Sequence, residues 1–146
     1  MKKMNTADYI INQLISQNID FKLLQNINDS NPTSLVSITV SKWKAKFIND
    51  KIAPGLDSYL WHIFSFGSAK SIKGTDATIE YLSQPPTNVL IFNESQQFLI
   101  ECSNSIPNIA MDDFTDDIYI SHHNMKWTYV LPHEIPDFGP YFSKQL

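Results

Sequence analysis

The stretch KWTYVLPHEIPDFGPYF, residues 126–142, decides how the rest of the chain is read. It holds five aromatic residues, three prolines and a His–Glu pair, in a chain whose aromatic share is 12%. Trp127 to Val130 is aromatic and β-branched, which is the composition of a strand. Beyond it, Pro132, Pro136 and Pro140 each remove a backbone donor and fix φ, and Gly139 permits a turn. The expectation is a last strand running into a rigid tail that is neither strand nor helix. His133 and Glu134 then have two readings. They do chemistry in a pocket, or they hold the tail against the core.

Upstream of the tail the pattern is strand after strand. Ile118–His122, Asn88–Phe92 and Phe98–Cys102 are short apolar runs, and Asn93 to Gln97 is a connection of hairpin length. Tyr59–Phe66, YLWHIFSF, reads as a further strand that is apolar on both sides and therefore central. The N-terminal part is helical instead. Ala7, Ile10, Ile11, Leu14 and Ile15 share one helical face behind a cap at Asn5 or Thr6. Val36, Val40, Trp43, Phe47 and Ile48 form a second stripe, which favours a helix from about Thr39 to Lys51. Ile19–Ile27 fits strand or helix. A short helix over Asp76–Ser83, with Ala77, Ile79 and Leu82 apolar and Thr75 as its cap, lies between strands. The sum is one α+β domain over residues 1–146, with a largely antiparallel sheet of about five strands, N-terminal helices and one inserted helix packed on it.

Composition narrows the function. The 146 residues are 42% apolar and 18% charged, enough to bury a core. Residues 1–89 carry nine lysines and seven acids, whereas residues 90–146 carry two lysines and eight acids. The acidic half argues against nucleic acid as a partner and suits a basic protein. All eleven basic residues are lysine, so no bidentate arginine site for phosphate can be built. The alternating Lys42, Lys44 and Lys46 read as a solvated surface. A single cysteine, Cys102, excludes an internal disulfide. No apolar run suits a signal peptide or a membrane span. The expected compartment is the cytoplasm.

Candidate chemistry is sparse. A metal site drawn from His122, His123, His133 and Glu134 lacks converging ligands, because neighbours on a strand face opposite ways. The expectation is no metal and no cofactor. Cys102 ends an apolar strand, where a buried inert thiol is usual. No nucleophile elbow, phosphate loop or dinucleotide fingerprint occurs. Asp112, Asp113, Asp116 and Asp117 form an acidic stretch without the glycine and terminal glutamate of a calcium loop. It reads as a solvated loop or as an electrostatic docking patch.

Leu60–Phe66, LWHIFSF, together with WTYVLPHE at 127–134 and GPYF at 139–142, resembles a family of small bacterial proteins of unknown function. That family's pattern is LWHxFS followed by WTYVxTHE and GPYF, with a W-x-x-x-F helix upstream that Trp43 and Phe47 match. The likeness covers residues 40–142 and departs at Pro132, where the family has threonine. It implies that Trp61, His62, Trp127, Tyr129, His133, Glu134, Gly139 and Tyr141 are signature positions. In size and character the chain is also similar to immunity proteins of contact-dependent growth inhibition. This likeness implies a non-enzymatic protein that neutralises a cognate toxin domain, a nuclease in particular, through its acidic stretch. The alternative expectation is a small enzyme or ligand-binding domain with a pocket around His133, Glu134 and His62.

Overall fold

The computed structural model describes residues 6–26, 35–48, 64, 71–110, 116–132 and 139–144. In chain order these form α1 (Thr6–Ser16), β1 (Phe21–Asn26), α2 (Leu35–Trp43), β2 (Ile72–Lys73) and α3 (Thr75–Leu82). Then come β3 (Thr87–Asn93), β4 (Phe98–Ser105), β5 (Ile118–His122), β6 (Trp127–Leu131) and β7 (Tyr141–Lys144). The strands make one sheet in the order β1-β4-β3-β5-β6-β7-β2, and every neighbouring pair is antiparallel. The α+β class and the antiparallel sheet are as the sequence led one to expect, but seven strands stand where about five were expected.

Side-chain alternation along the central strands explains why the sheet is covered twice. Val89, Ile91, Ile118, Ile120, Trp127, Tyr129, Leu131 and Phe142 enter one core with Ala7, Ile10 and Leu14 of α1 and Ala77 and Tyr81 of α3. Phe92, Tyr119, Val130 and Tyr141, each one residue out of step, enter a second core with Val36, Val40, Trp43, Phe47 and Phe64. Strands β5 and β6 are therefore buried at every position, which is why their sequences are largely apolar on both faces, with Ser121, His122 and Thr128 as the polar exceptions.

Aromatic contacts fix both layers. On the first face Tyr81 stacks on Tyr129 with ring centroids 4.2 Å apart and meets Trp127 edge-on at 5.6 Å. On the second face Trp43 meets Tyr119 edge-on at 5.2 Å, and Tyr119 stacks on Phe92 at 5.3 Å. Pairs of this kind add about 0.5–1.5 kcal/mol each beyond the area they bury. The Trp43 indole also donates to Thr128 Oγ1 (2.9 Å), which in turn bonds Ser121 Oγ (2.8 Å), so a buried polar chain ties α2 to the middle of the sheet. Helix α1 is tied differently. Gln13 and Gln17, one turn apart, each make a reciprocal pair of bonds with the backbone of Ala110 and Asn108. Their amides thereby satisfy a segment that joins no strand.

Several expectations need correction. Tyr141–Lys144 is a strand, not rigid tail, because proline-free chain resumes after Pro140 and pairs with β6 from Trp127 to Val130. Phe64 has helical backbone, so the strand expected over Tyr59–Phe66 does not run through it; the rest of that segment lies outside the described residues. The segment left open between strand and helix is β1, which pairs with β4 and carries a bulge between Leu23 and Gln25. Helix α2 begins earlier than expected and loosens into a π turn over Lys44–Ile48, while Val36, Val40, Trp43 and Phe47 are all buried as its stripe required. In α3 the buried pair is Ala77 and Tyr81; Ile79 is 61% exposed and Leu82 44%. The i, i+4 pair won because the large ring of Tyr81 reaches the sheet. Thr75 is the first helical residue and Gly74, at φ +72°, stands before it. Among the described residues no helix is long and apolar enough to cross a membrane.

Candidate acidic docking site

At one end of the sheet the β3–β4 turn and the approach to β5 come together around Asn93. This side chain is fully buried. Its Oδ1 accepts from the backbone N–H groups of Gln97 (2.8 Å) and Phe98 (3.3 Å). Its Nδ2 donates to Asp116 Oδ2 at 2.6 Å and to Gln97 Oε1 at 3.3 Å. One amide thus closes the hairpin and holds a carboxylate. The other oxygen of Asp116 accepts the Asp117 N–H (2.8 Å), and the Glu94 N–H donates to the Asp117 carbonyl (2.9 Å). The Tyr119 hydroxyl donates to Glu94 Oε1 at 2.5 Å. Glu94 and Asp116 are both half-buried. Their oxygens are oriented by donors that belong to the fold, and the sheet positions those donors.

The four aspartates do not form one exposed patch. Asp117 is fully buried, which corrects its assignment to a docking surface: it is the residue that enters β5, and its backbone is engaged by Glu94. Asp116 is anchored by Asn93, so it has a structural duty in addition to its charge. Asp112 and Asp113 lie outside the described residues. Sequence reading missed Glu94, Asn93 and Tyr119. The available signal was an asparagine ending an apolar strand just before a polar turn, the position where a side-chain amide closes a hairpin.

The signature positions divide in the same way. Trp127 and Tyr129 are core residues of the first face and Tyr141 of the second. Gly139 has φ +79°, and a Cβ there would come within 2.9 Å of Pro132 Cδ. Glycine is required because the chain leaving β6 and the chain entering β7 touch at that point. The Gly139–Pro140 bond is cis, and the Pro140 carbonyl accepts from the Gly74 N–H at 2.8 Å. Trp61, His62, His133 and Glu134 lie outside the described residues, so the pocket expected around them does too. A notch of about 490 Å³ lies between α3, β2 and β7, lined by Ser71, Ile72, Glu80, Phe142, Ser143 and Lys144.

Two further chemistries can be placed. Cys102 is fully buried, and burial together with the neighbouring Glu101 pushes its thiol up to about 12, far from the range of a reactive thiolate. His122 and His123 do not diverge as strand neighbours would. His123 belongs to the turn after β5, and the two rings stack with centroids 4.3 Å apart. Among the described residues no group of three or more His, Cys, Asp or Glu side chains is placed to hold a metal ion.

Comparison with known proteins adds a family and no activity. Residues 28–142 match the family described as "Domain of unknown function (DUF4275)". No curated protein and no solved structure matches the chain.

Proposed function

Since the chain belongs to the DUF4275 family, whose function is unknown, we propose from its own chemistry that it is an immunity protein. On this reading it binds a basic toxin domain, of nuclease type, and blocks its active site or substrate surface. The observation that carries the reading is the pair of half-buried carboxylates at the sheet end, Glu94 held by Tyr119 and Asp116 held by Asn93. A carboxylate already oriented by the fold loses less freedom on docking, a saving of about 0.5–1.5 kcal/mol for each side chain. Asp112 and Asp113 precede Asp116 by four and three residues, so chain length keeps them within about 15 Å of it. Residues 90–146 carry eight acids against two lysines, a balance that steers a basic partner toward this part of the molecule. The cleft of a nuclease toxin, built from cations that hold phosphate, is complementary to such a surface.

The test is growth rescue in cells that express a toxin domain found in a gene adjoining this chain's, and the absence of any such gene counts against the reading. Co-expression of the chain should restore growth. The triple variant Glu94→Gln/Asp112→Lys/Asp113→Lys, which keeps an acceptor for the Tyr119 hydroxyl and has an unchanged urea midpoint, should restore at least tenfold fewer colonies. Failure of the parent chain to rescue refutes the immunity reading. Equal rescue by the variant refutes the acidic docking site.

A further inference from the structure

The β5–β6 turn brings together two histidines, His122 and His123, whose rings stack. Its hydrogen bonds fix the tautomers of both histidines. The Asn124 N–H donates to His122 Nδ1 at 2.9 Å. A backbone N–H can only donate, so this Nδ1 holds a lone pair and the neutral ring carries its proton on Nε2. His123 Nδ1 lies 3.1 Å from the Asn88 carbonyl, which can only accept, so here Nδ1 carries the proton. Thr87 Oγ1 stands 3.4 Å from the same nitrogen. A second proton on His123 goes to Nε2 and leaves its bond intact. A second proton on His122 can go only to Nδ1, where it replaces the acceptor with a donor facing another donor.

We propose that the β5–β6 turn is a proton-operated latch, closed while His122 Nδ1 accepts from Asn124 and opened when that nitrogen is protonated. Two bonds close the turn, Asn124 N–H to the ring and Met125 N–H to the His122 carbonyl (2.8 Å). Met125 sits at φ +59°, a left-handed conformation that a side chain adopts only when its surroundings impose it. It is also buried in the second core, the cluster that holds Val130 and Tyr119. Loss of the first bond therefore leaves the Met125 N–H to His122 carbonyl bond alone to close a turn whose Met125 enters that core.

The groups around the ring all favour the closed, neutral form. Burial lowers the His122 pKa from its ordinary value, and His123 and Lys126 lower it further. Both groups stand on the same hairpin. On the neighbouring strand β3, Val89 pairs with His122, and β6 brings Trp127 edge-on at 6.1 Å; neither titrates. One strand further, Cys102 pairs with Val89, and its thiol stays neutral. The folded pKa is depressed, so the closed turn is fully stable above the unfolded value of about 6.5. It loses stability as pH falls below that value, until the depressed pKa is reached.

Amide exchange followed by NMR tests this, with rates corrected for intrinsic pH dependence and Ile91 as a reference within the sheet. The corrected exchange of Asn124 and Met125 should rise as pH falls below about 6.5, by up to tenfold per pH unit. Ile91 should not change. In His122→Asn the side-chain oxygen replaces Nδ1 as acceptor and cannot titrate, so Asn124 exchange should be flat from pH 7.5 to 5. His123→Asn should keep the acid response. Equal Asn124 protection at pH 7.5 and 5 in the parent chain overturns the latch, and so does an acid response that survives in His122→Asn. Should that variant not fold, the parent's ring ¹⁵N spectrum decides: protonation of Nδ1 must coincide with loss of Asn124 protection, and separate midpoints overturn the proposal.

Discussion

Replacing Asn93 by Asp changes the sheet end by one atom and reverses its electrostatics. The introduced carboxylate can still accept from the Gln97 and Phe98 N–H groups, so the hairpin remains closed. What is lost is the donor to Asp116, now met by an oxygen at 2.6 Å. A hydrogen bond to a charged acceptor is worth about 1.5–3 kcal/mol. Two carboxylate centres about 4 Å apart repel by a further ~1–4 kcal/mol, depending on effective dielectric. Asp116 is half-buried and can swing toward water, which discounts the repulsion. Asn93→Asp should therefore cost about 2–4 kcal/mol in urea unfolding followed by circular dichroism at pH 7.5. The sign reverses with acid. A shared proton raises the folded pKa of the new pair above the unfolded Asp value of about 3.9. Stability is then regained as pH falls through the raised pKa, and the deficit relative to the parent should shrink by pH 4.5. The exchange of partners, Asn93→Asp with Asp116→Asn, restores donor and acceptor in reverse and should recover more than half of the loss. A deficit under about 0.5 kcal/mol at pH 7.5, or no recovery in the exchanged pair, refutes the role given to Asn93.

Two other perturbations test how the layers and the tail are held. Thr128→Val keeps the shape but leaves the Trp43 N–H and Ser121 hydroxyl buried without Thr128 Oγ1. It should cost about 2–4 kcal/mol, and addition of Ser121→Ala should cost less than the sum of the two single changes, read by a double-mutant cycle in urea. Gly139→Ala forces a Cβ against Pro132 at a positive φ and should cost about 1–3 kcal/mol, seen as a lower Tm, whereas Gly74→Ala meets nothing within 4 Å and should cost only its backbone strain.

Much of the fold is legible residue by residue. The stripe of Val36, Val40, Trp43 and Phe47 needs only the helical period, and β3, β4, β5 and β6 need only apolar runs bounded by polar turns. Strand β7 was hidden because its four residues follow three prolines, and local propensity cannot see that β6 offers an unpaired edge. The exposed side of α3 was hidden for a related reason. Ile79 and Tyr81 both suit a buried face, and the sheet selects the ring that stacks on Tyr129. The acidic stretch was visible as composition only. Composition does not tell a carboxylate in solvent from one, like Asp117, that enters a strand.

An α+β chain, an inert cysteine, a chain without arginine and an acidic second half can all be read from the residues in order. These follow from periodicity, residue type and charge, which are local or additive. Only the folded chain shows that Asn93 ties Asp116 to the hairpin while Tyr119 holds Glu94, that His122 and His123 stack, and that Gly139 must clear Pro132. Each of these is a meeting of residues brought together by strand register or by a turn. Register is set by the packing of the two cores on either side of the sheet.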